Sequence, residues 1–191
     1  MKLQIFLFFY KTSSINYRYH DFNCKLLTLL SAMNTKTSFT LAEATRKAEH
    51  FCVYQERCHK EVIEKLYSMN MIPQAIDVII VHLIEHDFLN ETRFACSFAR
   101  GKHRIKFWGK IRIVRELKMR GISEFNIKLG LKEIDPNEYF DNFERRSESH
   151  WLQMTEKNKL IKRKKFCDFM LRKGFESDLV YAKVRELESL K

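Results

Sequence analysis

The chain has 191 residues, enough for one sizeable domain or a few small ones, and its 45% hydrophobic content can fill a core, which excludes wholesale disorder. Five glycines and two prolines are too few for the turns of an all-β fold, and no GxxxxGK[ST] or GxGxxG run offers a phosphate-cradling loop. A formal charge of +11 favours polyanionic partners: nucleic acid, a nucleoprotein or an anionic membrane face.

Residues 1–32 differ from the rest of the chain. The apolar run Ile5–Tyr10 stops at Lys11, and the second patch, KLLTLL at 25–30, comes too late to extend it. Neither approaches the roughly 20 residues that span a bilayer. No A-x-A site precedes a plausible mature start, and Met33 opens a polar stretch leading into a helical pattern. Residues 1–32 are therefore expected to be a leader, disordered or not part of the natural protein.

Beyond Met33 the chain repeats. The segments LYSMNMIPQAIDVIIVHL (66–83), LKMRGISEFNIKLGLKEI (117–134) and MLRKGFESDLVYAKVREL (170–187) align without gaps. Asn70, Gly121 and Gly174 coincide, residue types that accept the left-handed conformation just past a helix end, and the apolar Met71, Ile122 and Phe175 come next. Ile76, Ile127 and Val180 share a column, then Ile80, Leu131 and Val184, then Leu83, Ile134 and Leu187. Those spacings describe one apolar helix face.

One more helix precedes each pair: Leu41–Tyr54, then Asn90–His103 with Asn90 as N-cap, then Asp135–Thr155 with Asp135 as cap and Pro136 in the first turn. The expected fold is all-α, three tandem three-helix repeat modules (33–83, 84–134 and 135–191) forming an elongated curved array. Trp151 reads as core. Cys24, Cys52, Cys58, Cys96 and Cys167 are odd in number and contain no CxxC, which fits reduced thiols filling the core of a cytoplasmic protein.

Within the first module, His82, Glu85 and His86 match H-x-x-E-H, a spacing used by helical zinc hydrolases. The repeat weighs against that chemistry. His82 occupies the column of Glu133 and Glu186, a solvent-facing position, and the other two copies carry no such motif. The histidines read as incidental, with no metal and no other cofactor expected.

Charge concentrates in two places. RGKHRIKFWGKIRIVRELKMR (100–120) holds nine Lys or Arg against the single acid Glu116. On its second helix Ile113, Val114 and Leu117 form the buried stripe, which turns Arg112 and Arg115 to the other side. Residues 157–173 carry eight basic groups against Asp168, on the equivalent helix of the third module. Such faces contact phosphates without reading sequence, in a salt-sensitive way. Trp108 can stack on a base or anchor its loop.

The stretch LIEHDFLNETRFACSFARGKHRIKFWGKIRIVRELKMRGI (83–122) resembles the central signature of the RecX family, bacterial regulators of the RecA recombinase. Its elements here are Asn90, Arg93-Phe94-Ala95, the basic Arg100 to Arg104, Trp108-Gly109, and Ile113, Glu116, Leu117, Gly121 and Ile122. The similarity runs from about Leu41 to Leu190. Cys58 stands where a serine cap is usual, Asn90 where aspartate is usual, and Lys110 where proline is common.

The resemblance implies a non-enzymatic regulator of recombination and DNA repair, including the SOS response. Such a protein binds in the groove of the RecA–single-stranded DNA filament and lowers ATP hydrolysis, filament growth and strand exchange. The partners expected are the RecA filament and single-stranded DNA, with no membrane, and the chain is expected to be monomeric. Arg100, Arg104, Lys106, Trp108, Lys110, Arg112 and Arg115 are the expected contact surface of the second module, extended on the third by Lys162, Arg163, Lys164 and Lys165. The competing reading is a direct DNA-binding protein with helix-turn-helix-like modules.

Overall fold

A computed structural model describes residues 39–189, so the expectations for residues 1–32 lie outside the described residues. Among the described residues there are nine α-helices and no strand. They are α1 (Leu41–Tyr54), α2 (His59–Ser68), α3 (Pro73–Glu85), α4 (Glu91–Lys106), α5 (Lys110–Met119), α6 (Glu124–Lys132), α7 (Pro136–Gln153), α8 (Lys159–Lys173) and α9 (Ser177–Ser189). Their closest contacts group in threes: α1 to α3, α4 to α6, and α7 to α9.

Local chemistry sets these limits. At α1 the Glu43 N–H donates to Thr40 Oγ1 (3.3 Å) and the Thr40 N–H donates to Glu43 Oε2 (2.9 Å), a reciprocal capping box. Asn90, Ser123, Asp135 and Asn158 cap α4, α6, α7 and α8 through their side-chain oxygens. Cys58 stands at the start of α2 without a capping bond, and it is fully buried instead. α4 continues to Lys106, a turn beyond the expected His103, because nothing in ARGKHRIK stops it before Phe107.

The repeated helix endings are as the sequence implies. Asn70, Gly121 and Gly174 have φ of 60°, 77° and 88°. The N–H groups of Met71, Ile122 and Phe175 then donate back to the carbonyls of Leu66, Leu117 and Met170 (3.2, 3.1 and 3.3 Å). Ile76, Ile127 and Val180 are buried, as are Leu83, Ile134 and Leu187, while Ile80 and Leu131 pack half-buried at the core edge.

The apolar faces make two cores rather than three. Ala44, Ala48, Val62, Leu66, Ile79 and Leu83 form one, from α1 to α3. Residues of α4 to α6 such as Phe94, Ile113 and Leu117 share a second with Phe143, Trp151, Phe166, Met170 and Phe175 of the following triplet. Full burial of each large side chain there contributes about 1.5–3 kcal/mol. Lys183 is only 4% exposed, with Glu144, Glu148 and Glu186 around its ammonium. Burial pulls its pKa down, but the hydrogen bonds to Glu144 and Glu186 outweigh that and hold it above the ordinary lysine value.

The shared core is closed by backbone. The Gly109 N–H donates to the Lys173 carbonyl (2.9 Å) and the Ile111 N–H to the Gly174 carbonyl (3.1 Å). A Cβ on Gly109 would stand 2.2 Å from the Gly174 oxygen, so no side chain fits there. Cys58 holds the repeat position of Gly109 and carries a side chain, so the first seam is built differently. It is bridged by Arg93 to Glu56 (2.6 Å), Arg120 to Glu61 (3.8 Å) and Lys60 Nζ to the Met119 carbonyl (3.4 Å).

Gly109→Ala is expected to destabilise the fold by about 2–3 kcal/mol, since neither backbone can yield freely. Gly101→Ala, where nothing lies within 4 Å of the added Cβ in mid-helix, is expected to stabilise it by roughly 0.5–1 kcal/mol. Urea denaturation of the two variants checks both signs, and equal effects would contradict the close approach at Gly109.

Candidate polyanion-binding surface

The expected contact residues lie on the last turn of α4, the loop 107–109, α5 and α8. Phe107 closes α4 in the left-handed region (φ 52°), uncommon for a bulky residue. It is held there by N–H bonds from Phe107 and Trp108 back to His103 and Lys102 (3.0 and 3.3 Å). Trp108 is half-buried with its ring engaged: Phe98 meets it edge-on with centroids 6.3 Å apart, and the Arg112 guanidinium lies 4.1 Å from its centroid. This is a loop-anchoring environment that leaves little free ring face.

Beneath the loop lies a polar network that no sequence motif signals. His103 is buried, and its Nδ1–H donates to the Trp108 carbonyl (3.0 Å), leaving Nε2 to accept from Asn142 Nδ2 (2.9 Å). Arg145 donates to Asn142 Oδ1 (2.9 Å), which fixes that amide's orientation. Tyr139 stacks on His103, accepts from the Lys110 N–H (3.3 Å) and donates to Glu176 (2.5 Å). Burial, then the Glu176 bond, push its phenol well above the ordinary value. The network joins α4, the 107–110 turn, one face of α7 and Glu176 ahead of α9, segments far apart in sequence, which is why sequence reasoning missed it.

The cations fall into two groups. Arg100 pairs with Glu133 (2.9 Å), Arg163 with Glu188 (3.7 Å) and Lys165 with Glu156. Arg104 grips Glu138 with a fork, Nε to Oε1 at 2.8 Å and Nη2 to Oε2 at 2.9 Å. Lys106, Arg115 and Lys164 are exposed without an ion-pair partner among the described residues. Lys110 lies 4.5 Å from the Tyr139 centroid, and Arg112 donates to the Arg172 carbonyl (3.1 Å).

Lys162 departs from the expected exposure. It is 8% exposed, with its ammonium 4.4 Å from the Trp151 centroid, because its α8 position faces α7 rather than solvent. It therefore offers no accessible charge to a partner.

The histidines of the first triplet are engaged elsewhere. His82 Nε2 stands 2.7 Å from Glu49 Oε1 and ties α3 to α1, while His86 Nδ1 bonds the His82 carbonyl (2.9 Å). Among the described residues no three His, Cys, Asp or Glu side chains converge on a metal-sized site. Burial pushes the Cys52 thiol up to about 11 and raises Cys58, Cys96 and Cys167, which makes poor nucleophiles of all four. Among the described residues no helix is long and apolar enough to cross a membrane.

Comparison with known proteins fits this architecture. A family model described as RecX, second three-helix domain, matches residues 90–131, the helices and loop that carry the Trp108 anchor. Regulatory protein RecX of Listeria monocytogenes is 25% identical over 172 residues, 90% of this chain. Over most of its length the chain is similar to RecX proteins. The RecX of Bacillus subtilis is 26% identical over 146 residues, 74% of this chain and 54% of its own length. This chain covers 64% of the Listeria RecX, less than two thirds of its length.

The fold is RecX-like and built from three-helix repeats. The crystal structure of RecX from Lactobacillus salivarius superposes with a TM-score of 0.64 at 24% identity, covering 78% of this chain and 96% of that one. A second RecX crystal structure gives 0.65 at 19%, covering 76% and 74%.

The Arg104 fork makes a pH prediction. Its hydrogen bond to Glu138 holds that carboxyl below its ordinary value of 4.5, so the pair stabilises the fold above that value and is lost as acid protonates Glu138. Arg104→Gln is expected to be less stable than wild type above about pH 5, with the difference shrinking as acid protonates Glu138 in the wild type. Urea denaturation as the pH is lowered checks it; a difference that persists in strong acid would assign the effect to something other than the pair.

Proposed function

We propose that this protein binds the RecA–single-stranded DNA filament and lowers its ATP hydrolysis, growth and strand exchange. It does so as a non-enzymatic, monomeric regulator in the cytoplasm, with its repeating units at 33–83, 84–134 and 135–191. The observation that carries the reading is the likeness to RecX over nine tenths of the chain, including the central three-helix domain. The surface chemistry supports it. Lys106, Lys110, Arg112, Arg115 and Lys164 present charge not consumed by internal ion pairs. Arg100, Arg104, Arg163 and Lys165 can join them by exchanging their glutamates for a partner. Several modest contacts on successive triplets add through avidity, without any single tight site.

A direct DNA-binding role is the second reading, favoured by the same uncompensated cations. The two separate in one assay, single-stranded-DNA-dependent ATP hydrolysis by the cognate RecA. A fall at substoichiometric protein supports action on the filament, whereas inhibition only at DNA-saturating amounts supports competition for DNA. Arg112→Glu/Arg115→Glu is expected to weaken inhibition by at least about tenfold, as loss of close interfacial charge does. Its circular dichroism is expected to remain that of wild type. Unchanged inhibition would remove both residues from the contact surface.

A further inference from the structure

One concentration of positive charge joins the two basic runs of the sequence. It lies where the end of α8 meets α5 and α7, and it includes Arg146, a residue of the acid-rich α7 sequence that no charge run signals. Arg112 Nη1 donates to the Arg172 carbonyl (3.1 Å), and Lys173 Nζ donates to the Lys106 carbonyl (3.0 Å), which draws the three segments together. None of Lys106, Arg112, Arg115, Arg146, Arg172 and Lys173 has a carboxylate within ion-pair distance among the described residues. Burial, then repulsion from Arg146, Arg112 and Lys106, holds the Lys173 ammonium below its ordinary value. The Nε atoms of Arg112 and Arg146 are buried without a hydrogen-bond partner. Guanidinium N–H groups left unpaired beside like charges are costly unless an anion completes them.

An aromatic surface adjoins the cations. His150 stacks on Phe169 with centroids 3.7 Å apart, and the Arg146 guanidinium lies 4.9 Å from the Phe169 centroid. Burial, then Arg146 and Arg172, lower the His150 pKa, so the ring is neutral at pH 7. Both rings line a groove of ≈ 830 Å³ together with Arg115, Lys165, Asp168 and Arg172. Glu156, also on its wall, is taken by Lys165, which leaves Asp168 as the groove's one unengaged carboxylate among the described residues.

We propose that this seam is a seat for single-stranded nucleic acid, in which Arg112, Arg115, Arg146, Arg172 and Lys173 hold backbone phosphates and the His150–Phe169 pair offers a stacking face to a base. Arginine forks match the non-bridging oxygens of a phosphodiester, whose charge is fixed at all ordinary pH. A neutral aromatic plate beside a basic groove is what sequence-tolerant single-strand binding uses, and an acidic peptide would have no use for it. The seat deepens the filament reading, and rests on it only for which strand is met in the cell, by assigning this seam to DNA rather than to acidic protein surface.

The test is fluorescence anisotropy of a labelled oligothymidine of about 20 nucleotides with the full chain, titrated between roughly 50 and 200 mM NaCl. Arg146→Gln/Arg172→Gln is expected to weaken binding about tenfold at low salt and to flatten the salt slope by about 1.4, the share of two phosphate contacts on a single strand. Arg146→Lys/Arg172→Lys, which keeps the charge, is expected to retain the slope, and so is Lys128→Gln/Lys132→Gln on α6. Equal binding and slope in wild type and the glutamine variant would overturn the proposal.

So would a wild type that ignores the oligonucleotide while the glutamine variant loses its effect on RecA ATP hydrolysis, since the seam would then receive an acidic protein surface. Seam-dependent oligonucleotide binding without any effect on RecA would uphold the seat and end the filament reading instead.

Discussion

Two backbone hydrogen bonds at the Gly109–Gly174 contact organise the rest of the molecule. A helix begins with N–H groups that have no partner in their own coil, and ends with carbonyls in the same condition. Here the entry to α5 supplies the donors, Gly109 and Ile111, and the exit of α8 supplies the acceptors, Lys173 and Gly174. Each end satisfies the other, and the positive end of one helix dipole meets the negative end of the other. The approach needs a residue without Cβ on the α5 side and a left-handed residue on the α8 side, and glycine meets both needs. The basic character of that seam is a consequence, because joining those two ends sets Arg112 beside Arg172 and Lys173 beside Lys106.

The contrast with the first seam shows how much this contact decides. Cys58 occupies the position of Gly109, and its fully buried side chain packs into the core of α4 to α9. That seam relies on Arg93, Arg120 and Lys60 reaching across to Glu56, Glu61 and a carbonyl, and the apolar residues of α1 to α3 keep their own core. The later six helices share theirs. Similar helical units thus give one triplet with a core of its own, which meets the next through Cys58, and one pair whose core is shared.

The sequence made the helices and their endings legible, because those depend on local chemistry. The left-handed positions at Asn70, Gly121 and Gly174 and the buried columns after them are properties of short segments repeated three times. The left-handed Phe107 was not legible, since an aromatic residue has no local preference for that conformation and is held by the network around His103 and Arg145. The candidate surface was half legible. Clustered Lys and Arg marked α5 and α8, but the number of charges free for a partner depends on which acids fold back on them. Glu133, Glu138 and Glu188, distant in sequence, and Glu156, just ahead of α8, engage four of the expected residues. Lys162 turns inward to Trp151 for a reason visible only once α7 lies against α8. Arg146, hidden among acids in the sequence, emerges beside the basic ends.

Native-state hydrogen exchange tests the organising contact most directly. The Gly109 and Ile111 amides are expected to open only with the shared core, exchanging at the same free energy as the Leu117 and Met170 amides in α5 and α8. The Val62 and Ile79 amides of the first triplet are expected to form a separate unit that opens at a different free energy. Exchange of Gly109 and Ile111 well ahead of both Leu117 and Met170 would mean that the seam opens on its own, and would contradict the account of α4 to α9 as one body.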